Sequence, residues 1–262
     1  MQEKIKAALE HEKRTWNKIF SEELARESTE KFSSYWWRYY YEQIRDCVNS
    51  ISIPANASIL EAGCGSGKAT LLSLSNKNIT LLDISTEGLR LAEKLATIHG
   101  CKKVSYVEGN MFSMPFPDNN FDLTWNIGTI EHYDKELVIQ ILKEMLRVTK
   151  IGGHIGIAIP NFNSLPIKKA ELLARPRFKK ILKHIPGYRL DTEKIYGPKD
   201  IEDMLSSAAK QLGSGLHTAK VYNLGSPLFV ETPKIFIQIF TIFFERFFTK
   251  RKFLFLVISQ KK

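Results

Sequence analysis

Between Ser58 and Pro160 short apolar runs alternate with amphipathic stretches, and this alternation sets the architecture the sequence predicts. Ser58 to Glu61 reads as a strand that runs into a glycine turn at Gly63, Gly65 and Gly67, with a helix opening at Lys68. Ile79 to Leu82 is a second strand, closed by Asp83. Ser85 caps a helix reaching about Ile98, with Leu89, Leu91, Ala92, Leu95 and Ala96 facing inward. Val104 to Glu108 and Phe121 to Asn126 are the third and fourth strands, joined by a turn-rich loop from Met114. Lys135 to Lys150 carries a helical stripe of Leu137, Val138, Ile141, Leu142, Met145 and Leu146, which Gly152 and Gly153 are expected to break. His154 to Ile159 is a fifth strand, stopped by Pro160. Strands separated by helices predict an α/β fold with a parallel sheet.

The flanks follow other rules. Residues 1–32 place Ile5, Leu9, Trp16, Ile19, Phe20 and Leu24 at helical spacing, an N-terminal arm. Next come Tyr35, Trp36, Trp37, Tyr39, Tyr40 and Tyr41, a helix that either packs in the core or folds over a site as a lid. The chain divides into an arm or lid over residues 1–50 and a main domain over 51–262. Within the latter, residues 161–195 form a basic helical insertion after strand five. There Lys168, Lys169, Arg175, Arg177, Lys179, Lys180 and Lys183 face one acid, Glu171. Another helix runs from about Tyr196 towards Gly213, and two more strands are expected near Leu216 to Asn223 and Phe253 to Ser259.

Residues 233–249 are apolar except for a narrow stripe of Lys234, Gln238, Thr241, Glu245 and Thr249. The uninterrupted apolar run is too short to span a bilayer, which takes about 20 residues. Two readings are open: a buried helix, or one lying in a membrane interface with Lys250, Arg251 and Lys252 at the headgroups.

Composition narrows the setting. The chain has 262 residues, enough for a substantial core, and three cysteines with no paired spacing. Disulfides and a structural zinc are therefore not expected, and a reducing, cytoplasmic compartment is. The opening residues lack the apolar run of a secretory signal. A formal net charge of +10 is compatible with nucleic acid, with an anionic membrane surface, or with simple avoidance of self-association.

The glycine turn carries the chemistry. Glycines at alternate positions allow φ > 0 and bring backbone N–H groups close to a ligand. The dinucleotide fingerprint G-x-G-x-x-G fails, because its third glycine falls on Lys68 or Thr70, so a nicotinamide cofactor is disfavoured. The form present, an acid two residues before three alternating glycines, resembles motif I of class I S-adenosylmethionine-dependent methyltransferases. The resemblance extends over residues 58–160. Leu82-Asp83-Ile84-Ser85 resembles the second motif and the stretch from Val107 to Asp122 the adenine-edging loop, while Trp125 to His132 and Glu144 to Gly153 are similar to the ubiquinone/menaquinone-type branch.

The resemblance implies a Rossmann-like, seven-stranded, mostly parallel sheet with helices on both faces and an antiparallel last strand. S-adenosylmethionine would lie across the carboxyl ends of strands one to four. The cofactor residues it implies are Glu61, Gly63, Cys64, Gly65, Asp83, Ile84, Asn110, Met111 and Asn126. Asp83 would accept the ribose hydroxyls, Glu61 would attract the ammonium, Asn110 and Met111 would meet the adenine, and Asn126 would face the methionine end. His132 is the candidate base, or else orders its loop. Glu131-His132 has no helical partner for a metal, so none is expected.

The function implied is transfer of a methyl group, by in-line displacement, to a small-molecule or lipid-like acceptor. Alignment of the reactants can supply roughly 7–11 kcal/mol of such a barrier. Peripheral contact with an anionic membrane is part of this expectation. A nucleic-acid methyltransferase is disfavoured because strand four ends in Asn126-Ile127-Gly128-Thr129, and no cysteine follows Cys101 to attack a pyrimidine. Intact glycines and Asp83 argue against a non-catalytic binding protein of the same fold.

Overall fold

The computed structural model describes residues 2–25, 34–174 and 194–262. Two helices open the chain, α1 (Gln2–Ala25) and α2 (Tyr35–Ser50). The alternating region follows as β1 (Ser58–Ala62), α3 (Lys68–Ser73), β2 (Asn78–Asp83), α4 (Thr86–Ile98), β3 (Val104–Glu108), β4 (Phe121–Ile127), α5 (Lys135–Val148) and β5 (Thr149–Pro160). The rest is α6 (Leu165–Ala174), α7 (Pro198–Gln211), β6 (Lys220–Leu224), α8 (Lys234–Phe243) and β7 (Leu254–Gln260).

The seven strands form one sheet in the order β3-β2-β1-β4-β5-β7-β6. Strand β7 is antiparallel to both of its neighbours, and the other pairings are parallel. Strand order reverses between β1 and β4, and open α/β sheets place ligands in the crevice outside the strand ends at that switch.

Period-2 alternation splits the strands between two faces. Leu60, Ala62, Ile155, Ile157 and Val257 pack with α5 and α7. Ile59, Leu123, Trp125, Ala158 and Leu256 pack with Trp36, Tyr40, Ile44 and Val48 of α2. The aromatic helix is thus core: Trp36 is fully buried, its indole N–H donates to Leu228 O at 2.9 Å, and its ring meets Phe253 edge-on at 5.1 Å.

Two expectations need correction. Strand β5 starts at Thr149, directly after α5, and not at His154. A step of two residues along β4, from Phe121 to Leu123, is matched by a step of five along β5, from Thr149 to His154, so the extra residues bulge out. Gly152 takes φ 78° there, and the Lys261 ammonium donates to Leu146 O and Thr149 O, closing the end of α5.

The second correction concerns residues 233–249. The helix stops at Phe243 and gives way to 3-10 turns over Glu245–Phe247 and Thr249–Arg251. Only Ile237 of α8 is buried, so the buried-helix reading fails. Of the basic insertion, α6 is described; Arg175, Arg177, Lys179, Lys180 and Lys183 lie outside the described residues.

Candidate functional site

At the end of β1 the N–H groups of Gly63 and Cys64 both donate to Leu82 O, at 2.8 and 3.1 Å, which ties the turn to β2. Gly63 and Gly65 have φ of 69° and 51°, where a Cβ is strained. Neither position has room for one either. A Cβ on Gly63 would lie 2.7 Å from Met111 Sδ, and one on Gly65 2.7 Å from the Phe20 ring.

Asp83 closes β2 beneath this turn. Its Oδ2 accepts from Gly65 N and its Oδ1 from Ser85 N, both at 2.7 Å. A carboxylate offers about four lone-pair sites, so each oxygen keeps acceptor capacity for a ligand. Burial pushes the Asp83 pKa up, and the N–H donors pull against that shift.

Asp83 borders a cleft with roughly 680 Å³ of empty space, its open mouth included. Gly63, Cys64, Gly65, Ile84 and Met111 line the same cleft, so six of the nine expected cofactor residues come together. The other three are elsewhere. Asn110 turns its side-chain carbonyl to Phe112 N at 2.9 Å. Asn126 is fully buried as a brace: its amide donates to Ala62 O at 2.6 Å and accepts from Ile130 N at 3.2 Å. Next to it the Thr129 hydroxyl donates to Gly63 O at 2.7 Å, so the ends of β1 and β4 are clamped together.

Glu61, the third, is 2% exposed and borders a second cavity. Its Oε2 has no hydrogen-bond partner among the described residues. Burial pushes its pKa up to about 8, the Thr70 hydroxyl pulls against the shift, and the nearby charge of Asp83 adds to the rise. An orphaned, desolvated carboxylate of this kind suits a cationic group.

The second cavity has roughly 1060 Å³ of empty space and shares Trp16, Cys64, Ser66, Ile127 and Gly128 with the cleft. Trp37, Tyr40, Tyr41 and Phe253 give it an aromatic wall, and Glu131 and His132 border it beside Glu61. The His132 ring meets Trp16 edge-on at 5.5 Å. Among the described residues no group of His, Cys, Asp and Glu could hold a metal ion.

The residues of the roof are the part of the site that the sequence did not single out. An arm or lid is expected over residues 1–50, with Tyr35–Tyr41 as the candidate cover; Leu9, Trp16 and Phe20 of α1 line the cleft. Polar contacts fasten helix α1 to the domain. Asn17 Oδ1 accepts from the Ser85 hydroxyl at 2.7 Å, Lys13 pairs with Glu108 at 2.6 Å, and Lys68 pairs with Glu23. A signal was present at Gly88. This helical glycine faces Phe20, and a Cβ on it would lie 3.0 Å from that ring.

Residues 59–153 match the family model described as a methyltransferase domain. The chain is 33% identical to ajmaline N-methyltransferase of Rauvolfia serpentina over 132 residues, 49% of this chain and 44% of that protein. It is 28% identical to demethylmenaquinone methyltransferase of Anoxybacillus flavithermus over 118 residues, 42% of this chain and 48% of that protein. The chain thus spans about half the length of the curated relatives it matches. Among solved structures it is similar to an S-adenosylmethionine-dependent methyltransferase of Thermotoga maritima, described as a possible histamine N-methyltransferase. The TM-score is 0.59 at 16% identity, over 93% of this chain and 99% of that one. Residues 59–153 are thus similar to methyltransferase domains, and the sheet that holds them has the fold of S-adenosylmethionine-dependent methyltransferases.

Proposed function

We propose that the protein is an S-adenosylmethionine-dependent methyltransferase acting on a small-molecule or lipid-like acceptor at the edge of an anionic membrane. The observation that carries this is Glu61, a buried carboxylate with an orphaned oxygen where the glycine turn leaves β1. The chain's residues fit the cofactor: an acid for an ammonium, acceptor capacity on Asp83 for hydroxyls, and a glycine cradle that a Cβ would fill.

S-adenosylmethionine supplies a methyl group on a sulfonium, open to in-line displacement by an acceptor lone pair. Glu61 ionises to hold the ammonium, and Asp83 accepts the ribose hydroxyls while its bonds to Gly65 and Ser85 fix its direction. Ile84, Met111 and Phe112 give the base an apolar bed. Trp16 and Phe20 exclude water from above. The aromatic wall of the second cavity holds an apolar acceptor against the partition the two spaces share, and this alignment is the main source of rate. His132, at the edge of that cavity, takes the acceptor's proton where the acceptor carries one.

Calorimetry with S-adenosylhomocysteine and with NAD tests the reading. Binding of the first alone is expected; silence from S-adenosylhomocysteine in a folded sample would overturn it.

A further inference from the structure

Helix α8 wears its amphipathicity inside out. At about 100° per residue, Ile235, Phe236, Ile239, Ile242 and Phe243 share one arc of roughly 120°. All five are exposed, Ile242 by 74% and Phe243 by 61%. Buried Ile237 lies on the opposite side, and Gln238 and Thr241 of the polar stripe are half-buried. Lys234 sits over the Tyr35 ring at 5.5 Å, and beyond the helix Glu245 accepts from Tyr39 Oη at 2.7 Å. A helix of a water-soluble surface shows the reverse arrangement.

The turns after the helix extend the pattern, with Phe244 and Phe247 exposed by 51% and 69%. From Lys234 to Lys252 the chain carries five cations and one acid. That acid, Glu245, is turned inward and paired with Lys252 at 2.7 Å, which leaves Arg246, Lys250 and Arg251 exposed around the apolar face.

We infer that the outward face of α8 and the turns behind it dock the protein on an anionic lipid bilayer, beside the aromatic cavity. The inference rests on the membrane-edge part of the proposed function and names the surface that performs it. Among the described residues no helix is long and apolar enough to cross a membrane, so the helix lies in the plane of the interface. Its large apolar side chains enter the acyl boundary, and the surrounding cations meet lipid phosphates. The same rim disfavours a second copy of the chain, because a two-fold contact on this face would set cation against cation.

The position suits the chemistry. Helix α2 touches α8 through Tyr35 and the turn behind it through Tyr39, while its Trp37, Tyr40 and Tyr41 line the cavity. Phe253, another cavity wall, follows directly on Lys252. Docking on α8 therefore places lipid one helix, α2, away from the aromatic cavity. An apolar acceptor can then pass from bilayer to cavity with little exposure to water.

Vesicle flotation tests this with phosphatidylcholine alone and with phosphatidylcholine containing phosphatidylglycerol. The protein is expected to float with the anionic vesicles only, and less as salt rises. The double variant Ile242→Glu/Phe243→Glu should reduce flotation at least about tenfold. Both positions are exposed, so its circular dichroism and its affinity for S-adenosylhomocysteine should be unchanged. If that folded variant floats like the parent, α8 is not the docking surface, although the membrane reading stands. If the parent floats with neither vesicle, both fall. A parent dimer that the variant splits, without flotation, gives the face to a second copy and overturns the inference.

Discussion

Phe20 and Gly65 are fitted to each other: a Cβ on the glycine would stand 2.7 Å from the ring. The N-terminal helix is thus built into the turn of the cofactor cleft, though some forty residues separate them in sequence. Phe20→Ala removes an apolar side chain worth about 1.5–3 kcal/mol when buried. The expected result is an affinity for S-adenosylhomocysteine about tenfold weaker or more, with faster proteolysis within α1 and little change in the sheet. Equal affinity with a freed α1 would make the helix a bystander.

Asp83→Ala should weaken S-adenosylhomocysteine binding by about 1.5–3 kcal/mol, the range for hydrogen bonds to a charged acceptor. Circular dichroism and thermal unfolding control for the bonds the carboxylate makes to Gly65 and Ser85. Undiminished affinity in a folded variant would remove Asp83 from the ribose contact.

Glu61 ties affinity and stability to pH. Its pKa in the folded, ligand-free protein is raised to about 8, whereas an unfolded glutamate titrates near 4.3. Between those values the folded state holds a proton the unfolded state has lost, so stability falls as pH rises through the window. Glu61→Gln should lift this dependence and stabilise the ligand-free protein above pH ~8 by on the order of 1–3 kcal/mol.

The same residue sets the pH dependence of binding. Holding an ammonium requires Glu61 to ionise, so at pH ~7 binding should release a proton, and affinity should rise towards pH ~8. Beyond that it should fall, as an α-amine of pKa ~7.7–8.0 loses its own charge. Calorimetry in buffers of different ionisation enthalpy measures the proton. Equal release by the parent and by Glu61→Gln would rule out the ammonium contact.

His132→Ala separates two roles. A base gives a turnover loss of about 10²–10⁴ with cofactor affinity held. A loss below about tenfold would leave His132 packing on Trp16 and ordering its loop, with rate resting on alignment.

Most of the sheet was legible because its strands are apolar runs closed by glycine, proline or acid. The predicted third strand, Val104 to Glu108, is β3 as observed. The start of β5 was hidden because a bulge puts glycines and a lysine inside a strand, and locally that reads as a loop. In the site, residue type could not separate a ligand contact from a brace. Asn126 spends its amide on Ala62 and Ile130, and Asn110 on its own turn. Nor does a periodic stripe say which side of a helix meets the protein. The pattern in α8 was plain, but its orientation is set by partners on α2 that lie some two hundred residues earlier.

Trp16 borders both the cleft and the aromatic cavity. One side chain on one helix therefore serves as a common doorpost, and a swing of α1 would unlatch both rooms together. Under the proposed function, exchange of spent cofactor and methylated acceptor would share a single gate. Its latches are the Asn17–Ser85, Lys13–Glu108 and Lys68–Glu23 contacts. In such an enzyme the pace of turnover is written in the fastening of an N-terminal helix as much as in the chemistry beneath it.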